Sequence, residues 1–238
     1  MIPAPVGLNE PVDLEAGGLL LVDKPVTWTS FNVVAKIRSA MRAKAGHKMK
    51  VGHGGTLDPL ASGLLILGFG RGTKSLLQLT GLDKRYTGTL TLGGITPSQD
   101  AETEVVEQKP WAHLDEASVR NVMARFVGPL QQRPPIYSAK HHQGERAYWK
   151  ARDGREAEME LASVLVHRLE LLSIDGPLVT FDTTVSKGTY VRTLAHDIGQ
   201  VLGCGAYLSA LRRTHIDCYD VADALDPMAW AQRIAPRG

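Results

Sequence analysis

Two cysteines in 238 residues, Cys204 and Cys218, make no disulfide framework. Neither stands at metal-ligand spacing, and both are read as ordinary buried thiols of a reducing cytosol. A strong charge of either sign is also missing: 27 Lys and Arg face 25 Asp and Glu, a net +2. That balance neither demands nor excludes a nucleic-acid partner, so any basic footprint has to be local. No apolar run approaches the ~20 residues of a membrane span. The stretch Met1–Gly17 lacks the basic-then-apolar order of a secretory signal. Internal repeats and low-complexity linkers are absent. Gly70-Arg71-Gly72-Thr73-Lys74 lacks Walker spacing, which removes that route to nucleotide binding. His141 and His142 have no spaced third ligand nearby, so no metal is expected. What remains is a globular composition, 43% hydrophobic and 22% charged, long enough for a substantial core.

The stretch Gly52-His53-Gly54-Gly55-Thr56-Leu57-Asp58-Pro59-Leu60-Ala61-Ser62-Gly63 sets one carboxylate among glycines. Pro59 fixes its own φ and pushes Asp58 towards an extended backbone. Leu64–Leu67 reads as a buried strand, so the stretch reads as a rigid loop that presents one acid. The residue types also fit a structural turn in which Asp58 caps backbone amides.

Gly18–Asp23 reads as a strand stopped by Pro25, after a loose, Pro-bearing arm over 1–17. Thr27–Ser30 offer helix caps, and Phe31, Val34, Ile37 and Met41 predict a helix over 31–43 with those four facing inward. Arg42, Lys44, Lys48 and Lys50 follow without an acid, a candidate phosphate-contacting patch. Thr73–Thr80 reads as a short helix. Lys84–Gly93 alternates with period two, with Tyr86, Gly88, Leu90 and Leu92 on one face. Asp115 caps an amphipathic helix that ends at Gly128. From Arg133 to Arg155 six Lys or Arg stand against two acids, interleaved with Tyr148 and Trp149, and Lys140 and Arg146 are the cations singled out for RNA. Residues 161–186 predict two strands around Asp175-Gly176-Pro177. Thr189 is the expected cap of a helix running to Gly203. Arg192 in its first turn opposes the helix dipole and calls for a carboxylate. Gly205–Thr214 reads as the last strand.

The Asp58 stretch resembles the G-H-T-G-T-L-D-P-x-A-x-G motif of the TruB family of tRNA pseudouridine synthases, with Gly54 in the usual Thr position. Lys24-Pro25-Val26-Thr27-Trp28-Thr29-Ser30 resembles K-P-x-G-x-T-S, with Thr27 in the Gly position. Tyr86 matches the tyrosine of K-x-Y. Pro134-Pro135-Ile136-Tyr137-Ser138-Ala139 matches P-P-x-Y-S-A. Val185–Thr193 resembles C-S-K-G-T-Y-I-R-T, with Val185 for Cys, and Leu211-Arg212-Arg213-Thr214 matches L-R-R-T. The matches run in family order from about Gly18 to Thr214.

The resemblance implies an α+β pseudouridine synthase fold, a mixed and mostly antiparallel sheet flanked by helices. It implies a catalytic domain over 18–217 with an RNA-contacting insertion at 133–155. A short extension over 218–238 leaves no room for the RNA-binding PUA domain of many relatives. Asp58 is then catalytic and held ionised by Arg192. His53, Tyr86, Tyr190, Arg192 and Leu211 bind the substrate, with Tyr86 and Leu211 sandwiching the base and His53 entering the vacated stack. Lys44, Lys48, Lys50, Lys140 and Arg146 contact RNA. The implied activity is conversion of uridine 55 in the T loop of tRNA to pseudouridine, by a cytoplasmic monomer without cofactor or metal. The lack of a second carboxylate motif argues against an ordinary glycosidase. Two alternatives stay open: a tRNA-folding chaperone without turnover, and a guide-RNA-dependent enzyme of the Cbf5 type.

Overall fold

The structure, a computed structural model, describes residues 2–135, 141–142, 145–146 and 160–235. The chain forms two compact units, Met1–Tyr86 with Leu211–Gly238, and Thr87–Ala210. The architecture is α+β and its strand pairings are mostly antiparallel, as the resemblance implies. Among the described residues no helix is long and apolar enough to cross a membrane.

The first unit is built on β1 (Gly18–Lys24) and β3 (Ala61–Phe69), paired antiparallel from Gly18↔Phe69 to Lys24↔Gly63. Both strands read as continuous apolar runs because both of their faces are covered. One face packs Leu20, Val22, Leu65 and Leu67 against Val33, Val34, Ile37 and Met41 of α1 (Ser30–Ala45) and Trp230 and Ile234 of a C-terminal helix, Pro227–Ile234. The other packs Leu19, Leu21, Leu64 and Ile66 against Ile216 and Leu79 of α2 (Leu76–Thr80). On the edge of β3 away from β1 the neighbour changes. β2 (Val51–His53) pairs antiparallel with Leu67–Phe69, while Leu211–Arg213 of β12 (Ala206–Ile216) pairs parallel with Ala61–Gly63. The residues between β2 and β3 leave the sheet at this change of neighbour.

Two expectations fail here. The N-terminal residues are not a loose arm: the Val6 amide donates to Leu19 O at 2.9 Å, and Val12 is buried in the core. They add a backbone partner to the first strand, which side-chain patterning does not announce. In α1, Phe31 is 64% exposed and Val33 takes the inward place. The helix begins at Ser30, capped by Thr29 and Asn32, and Ser30 itself points inward.

In the second unit, β4 (Lys84–Leu92, entering from the first unit), β7 (Gly128–Gln132), β10 (Ala162–Asp175) and β11 (Leu178–Val185) lie in the order β4-β11-β10-β7. β10 and β11 are joined by the two-residue loop Gly176-Pro177, with Gly176 at φ 55° as such hairpins favour. Between β4 and β7 in sequence comes the short pair β5 (Gly94–Ile95) with β6 (Glu107–Gln108), and between β7 and β10 the pair β8 (His141–His142) with β9 (Glu145–Arg146). Helix α3 (Glu116–Ala124) is capped by Asp115, and α4 spans Val191–Val201. The remaining elements of the first unit are β13 (Tyr219–Asp220) and α5, the Pro227–Ile234 helix already described. Of the cysteines, Cys204 is buried as expected, but Cys218 is exposed, at the turn between β12 and β13.

Thr27 occupies the left-handed region at φ 71°, an outlier for a β-branched residue. Replacing it with glycine removes roughly 1–2 kcal/mol of backbone strain and adds about 0.4–1 kcal/mol of unfolded-state entropy cost. Thr27→Gly is therefore expected to raise the unfolding free energy by about 1 kcal/mol. Urea denaturation checks this, and a lower midpoint in the variant contradicts it.

Candidate active site

Residues 54–60 run between two strands and have no sheet partners beyond Gly54, whose amide donates to Ile66 O at 2.9 Å. Their backbone groups have to be met from elsewhere. Ser30 meets both groups of Leu57: its hydroxyl donates to Leu57 O at 3.0 Å and accepts from the Leu57 amide at 2.8 Å. The Thr27 amide donates to Pro59 O at 2.8 Å. Arg213, 1% exposed, donates through Nη2 to Gly55 O at 3.1 Å and through Nη1 to Thr56 O at 3.4 Å, while its Nε holds Leu64 O at 2.7 Å. Asp58 is thus bracketed, with Leu57 and Pro59 on either side of it both fastened. Its carboxylate stands on a half-buried residue, and its carbonyl accepts from Ala61 N at 3.1 Å.

The turn that supplies Thr27 and Ser30 is itself set from within. The buried Lys24 ammonium donates to Pro25 O at 2.9 Å and Trp28 O at 2.5 Å. Arg212 clasps Asp23 through two bonds of 3.0 and 2.7 Å. Gly63 sits at φ 102°, and a Cβ there would lie 2.2 Å from Arg213 O, so only glycine lets β12 approach β3. A Cβ at Gly54 would lie 2.9 Å from Leu79 Cβ, so a threonine there would have to displace a buried helix contact.

His53 ends β2, half-buried, with its Nδ1 buried and without a hydrogen-bond partner among the described residues. Burial, then the nearby Arg213 guanidinium, push its pKa below the ordinary 6.5, so the imidazole is neutral at pH 7. Tyr86 is buried on the inner face of β4, and half-buried Leu211 pairs in register with Ala61, three residues past Asp58. His53, Asp58, Tyr86 and Leu211 therefore share one unit. Lys44, Lys48 and Lys50 are exposed in the same unit.

Tyr190 and Arg192 belong to the second unit. Tyr190 occupies the N-cap position of α4 without a side-chain cap, and Thr189 donates instead to Ser186 O at 2.9 Å. The end of the helix is held by Gln132 of β7, which accepts from the Tyr190 amide at 3.0 Å and donates to its carbonyl at 3.2 Å. The resemblance implies Asp58 as the carboxylate beside Arg192; within its own unit the partner is Asp100, with Nη1 3.2 Å from Oδ2 and both residues buried. Asp100 also accepts from Thr96 and Ser98 through its carbonyl. Ser30 and Arg213 stand in matched motifs without being marked as site residues, and Asp100 lies in none of the motifs. Lys140 lies outside the described residues, and Arg146 is described only as part of β9.

Known proteins resemble this chain closely. The family description "TruB family pseudouridylate synthase (N terminal domain)" matches residues 40–191, and "tRNA pseudouridylate synthase B C-terminal domain" matches 192–232. The tRNA pseudouridine synthase B of Chlorobium luteolum is 49% identical over 212 residues, 89% of this chain and 73% of the relative. That of Flavobacterium johnsoniae is 42% identical over 218 residues, 91% and 95% of the two chains. Among solved structures, a chain of a Cbf5–Nop10–Gar1 complex matches with a TM-score of 0.67 and 31% identity, over 89% of this chain and 52% of the other, so this chain spans about half its length. The fold is that of a pseudouridine synthase. Within that class, the chain belongs to the TruB family.

Ser30→Ala removes both contacts of Leu57 and leaves buried backbone groups to be met otherwise. It is expected to cost about 1–3 kcal/mol of stability and to lower kcat for pseudouridine formation by about 10- to 100-fold, with the RNA dissociation constant nearly unchanged. Single-turnover assays beside filter binding separate the two; a loss confined to RNA binding contradicts a role in placing Asp58.

Proposed function

We propose that this chain converts uridine 55 in the T loop of tRNA to pseudouridine, acting as a monomer on the T arm. The observation that carries this is the single acid Asp58, held in a loop whose flanking residues are fastened by Ser30, Thr27 and Arg213. The names borne by its relatives support the same substrate.

The reaction breaks the N1–C1′ bond of uridine and joins C1′ to C5 of the same base. C5 loses a proton and N1 gains one, so nothing is oxidised and the atoms balance. The chemistry asks for one ionised carboxylate in a place poor in water, whether it acts at C1′, at C6 or by assisting a glycal route. The base lies stacked in an RNA loop and is flipped out at a cost of roughly a few kcal/mol. Tyr86 and Leu211 hold it, Tyr190 and Arg192 complete the binding set, and the neutral ring of His53 fills the space it leaves. The exposed Lys44, Lys48 and Lys50, with Lys140 and Arg146, meet the phosphates.

Asp58→Asn is expected to abolish isomerisation by several orders of magnitude, about 1.4 kcal/mol per decade, while tRNA binding persists. A rate within tenfold of wild type removes Asp58 from the chemistry. A tRNA-folding chaperone would instead keep its full function in this variant.

Replacing Lys44, Lys48 and Lys50 together by Ala is expected to flatten the salt dependence of tRNA binding by about one to three units, at roughly 0.7–0.9 per phosphate lost. KM should rise far more than kcat falls, because phosphate contacts hold substrate and transition state alike. An unchanged slope makes these lysines a solvated face.

A further inference from the structure

The stretch from Val26 to Leu57 contains no Asp or Glu, and its cations are Lys36, Arg38, Arg42, Lys44, Lys48 and Lys50. The sequence motifs account for its ends, the turn at 24–30 and the loop at 52–63. Apart from Arg42, which opens the candidate phosphate patch, they leave the outer face of α1 without a task. That face carries Phe31, 64% exposed, and Val26, five residues earlier in the turn before the helix, is 55% exposed. Arg38 lies over the Phe31 ring, 5.7 Å from its centroid, and Arg42 is exposed one turn further on. Phe31, Arg38 and Arg42 follow at intervals of seven and four, so they form one stripe along about 16 Å of helix. Beside the stripe is an open hollow lined by Thr27, Trp28, Asn32, Ala35 and Lys36.

We propose that this face of α1 is a second RNA-binding surface, on which Phe31 stacks an unpaired base of the substrate RNA while Arg38 and Arg42 meet its phosphates. The inference rests on the reading of RNA as substrate. The chemistry of the rim selects nucleic acid over a protein partner. An apolar partner would meet Phe31 beside two guanidinium groups on a stretch of chain without acids, whereas a polynucleotide offers a π-face to the ring and an anion to each cation. The surface also lies next to the chemistry within one unit. Thr27, at the edge of the hollow, donates to Pro59, and Ser30, immediately before Phe31, holds Leu57. RNA seated on α1 is thereby one residue from the groups that bracket Asp58.

The test uses the full chain and an unmodified tRNA transcript. Phe31→Ala removes an exposed ring, so folding is not at stake, and melting temperature serves as the control. Phe31→Ala is expected to weaken binding about tenfold with the salt slope unchanged, while Phe31→Trp binds like wild type. Arg38→Ala with Arg42→Ala should flatten the slope by about one to two units. Wild-type affinity in Phe31→Ala overturns the proposal, and so does an equal loss in Phe31→Trp. Failure of the wild-type chain to bind tRNA at all would overturn the substrate reading, and this surface with it.

Discussion

A loop that leaves a sheet keeps its backbone polar groups, and those that are buried must still be satisfied. In this chain that requirement decides where the acid stands. Residues 54–60 depart where β3 exchanges β2 for β12 on one edge. Three outside groups then meet the backbone of Gly55, Thr56, Leu57 and Pro59: a hydroxyl from the first residue of α1, an amide from a strained turn, and a buried guanidinium from β12. They come from two distant stretches, the turn at 27–30 and Arg213, so the geometry of Asp58 depends on elements from both ends of the first unit. The buried Lys24 and the Asp23–Arg212 pair make sense in the same terms, since they shape the elements that supply these donors.

Much of this was legible in the residues. β1 and β3 announce themselves as unbroken apolar runs because helices cover both faces, and β4 shows a clean period of two. The site acid is legible through its glycines and Pro59. Its supports are not. Arg213 bonds to carbonyl groups, which every residue has, so no partner residue type marks it. Ser30 looks like a second capping residue until the loop it touches is in place. That also explains Phe31: the spacing 31, 34, 37, 41 and the spacing 30, 33, 37, 41 both fit a helix, and the bond to Leu57 selects the one that turns the ring to solvent. Arg192 called for a carboxylate by its place in a helix, yet nothing in its neighbourhood of sequence pointed to Asp100, 92 residues away.

Two of the three departures from the family pattern acquire physical meaning. Thr27 keeps the left-handed backbone that glycine takes freely, because its amide is committed to Pro59. Gly54 gives up a side chain where Leu79 leaves no room for one. Six of the 27 cations gather in an acid-free stretch that leads into the acid-bearing loop. A modest net charge is then compatible with a strong local field for a polyanion.

The central claim is that this chain alone performs the isomerisation at one uridine. Incubating the purified protein with an unmodified tRNA transcript, with no guide RNA or other protein, and mapping pseudouridine along it tests that directly. Stoichiometric pseudouridine at position 55 and nowhere else is the expected result. No pseudouridine, or formation only after a guide RNA is added, would contradict it.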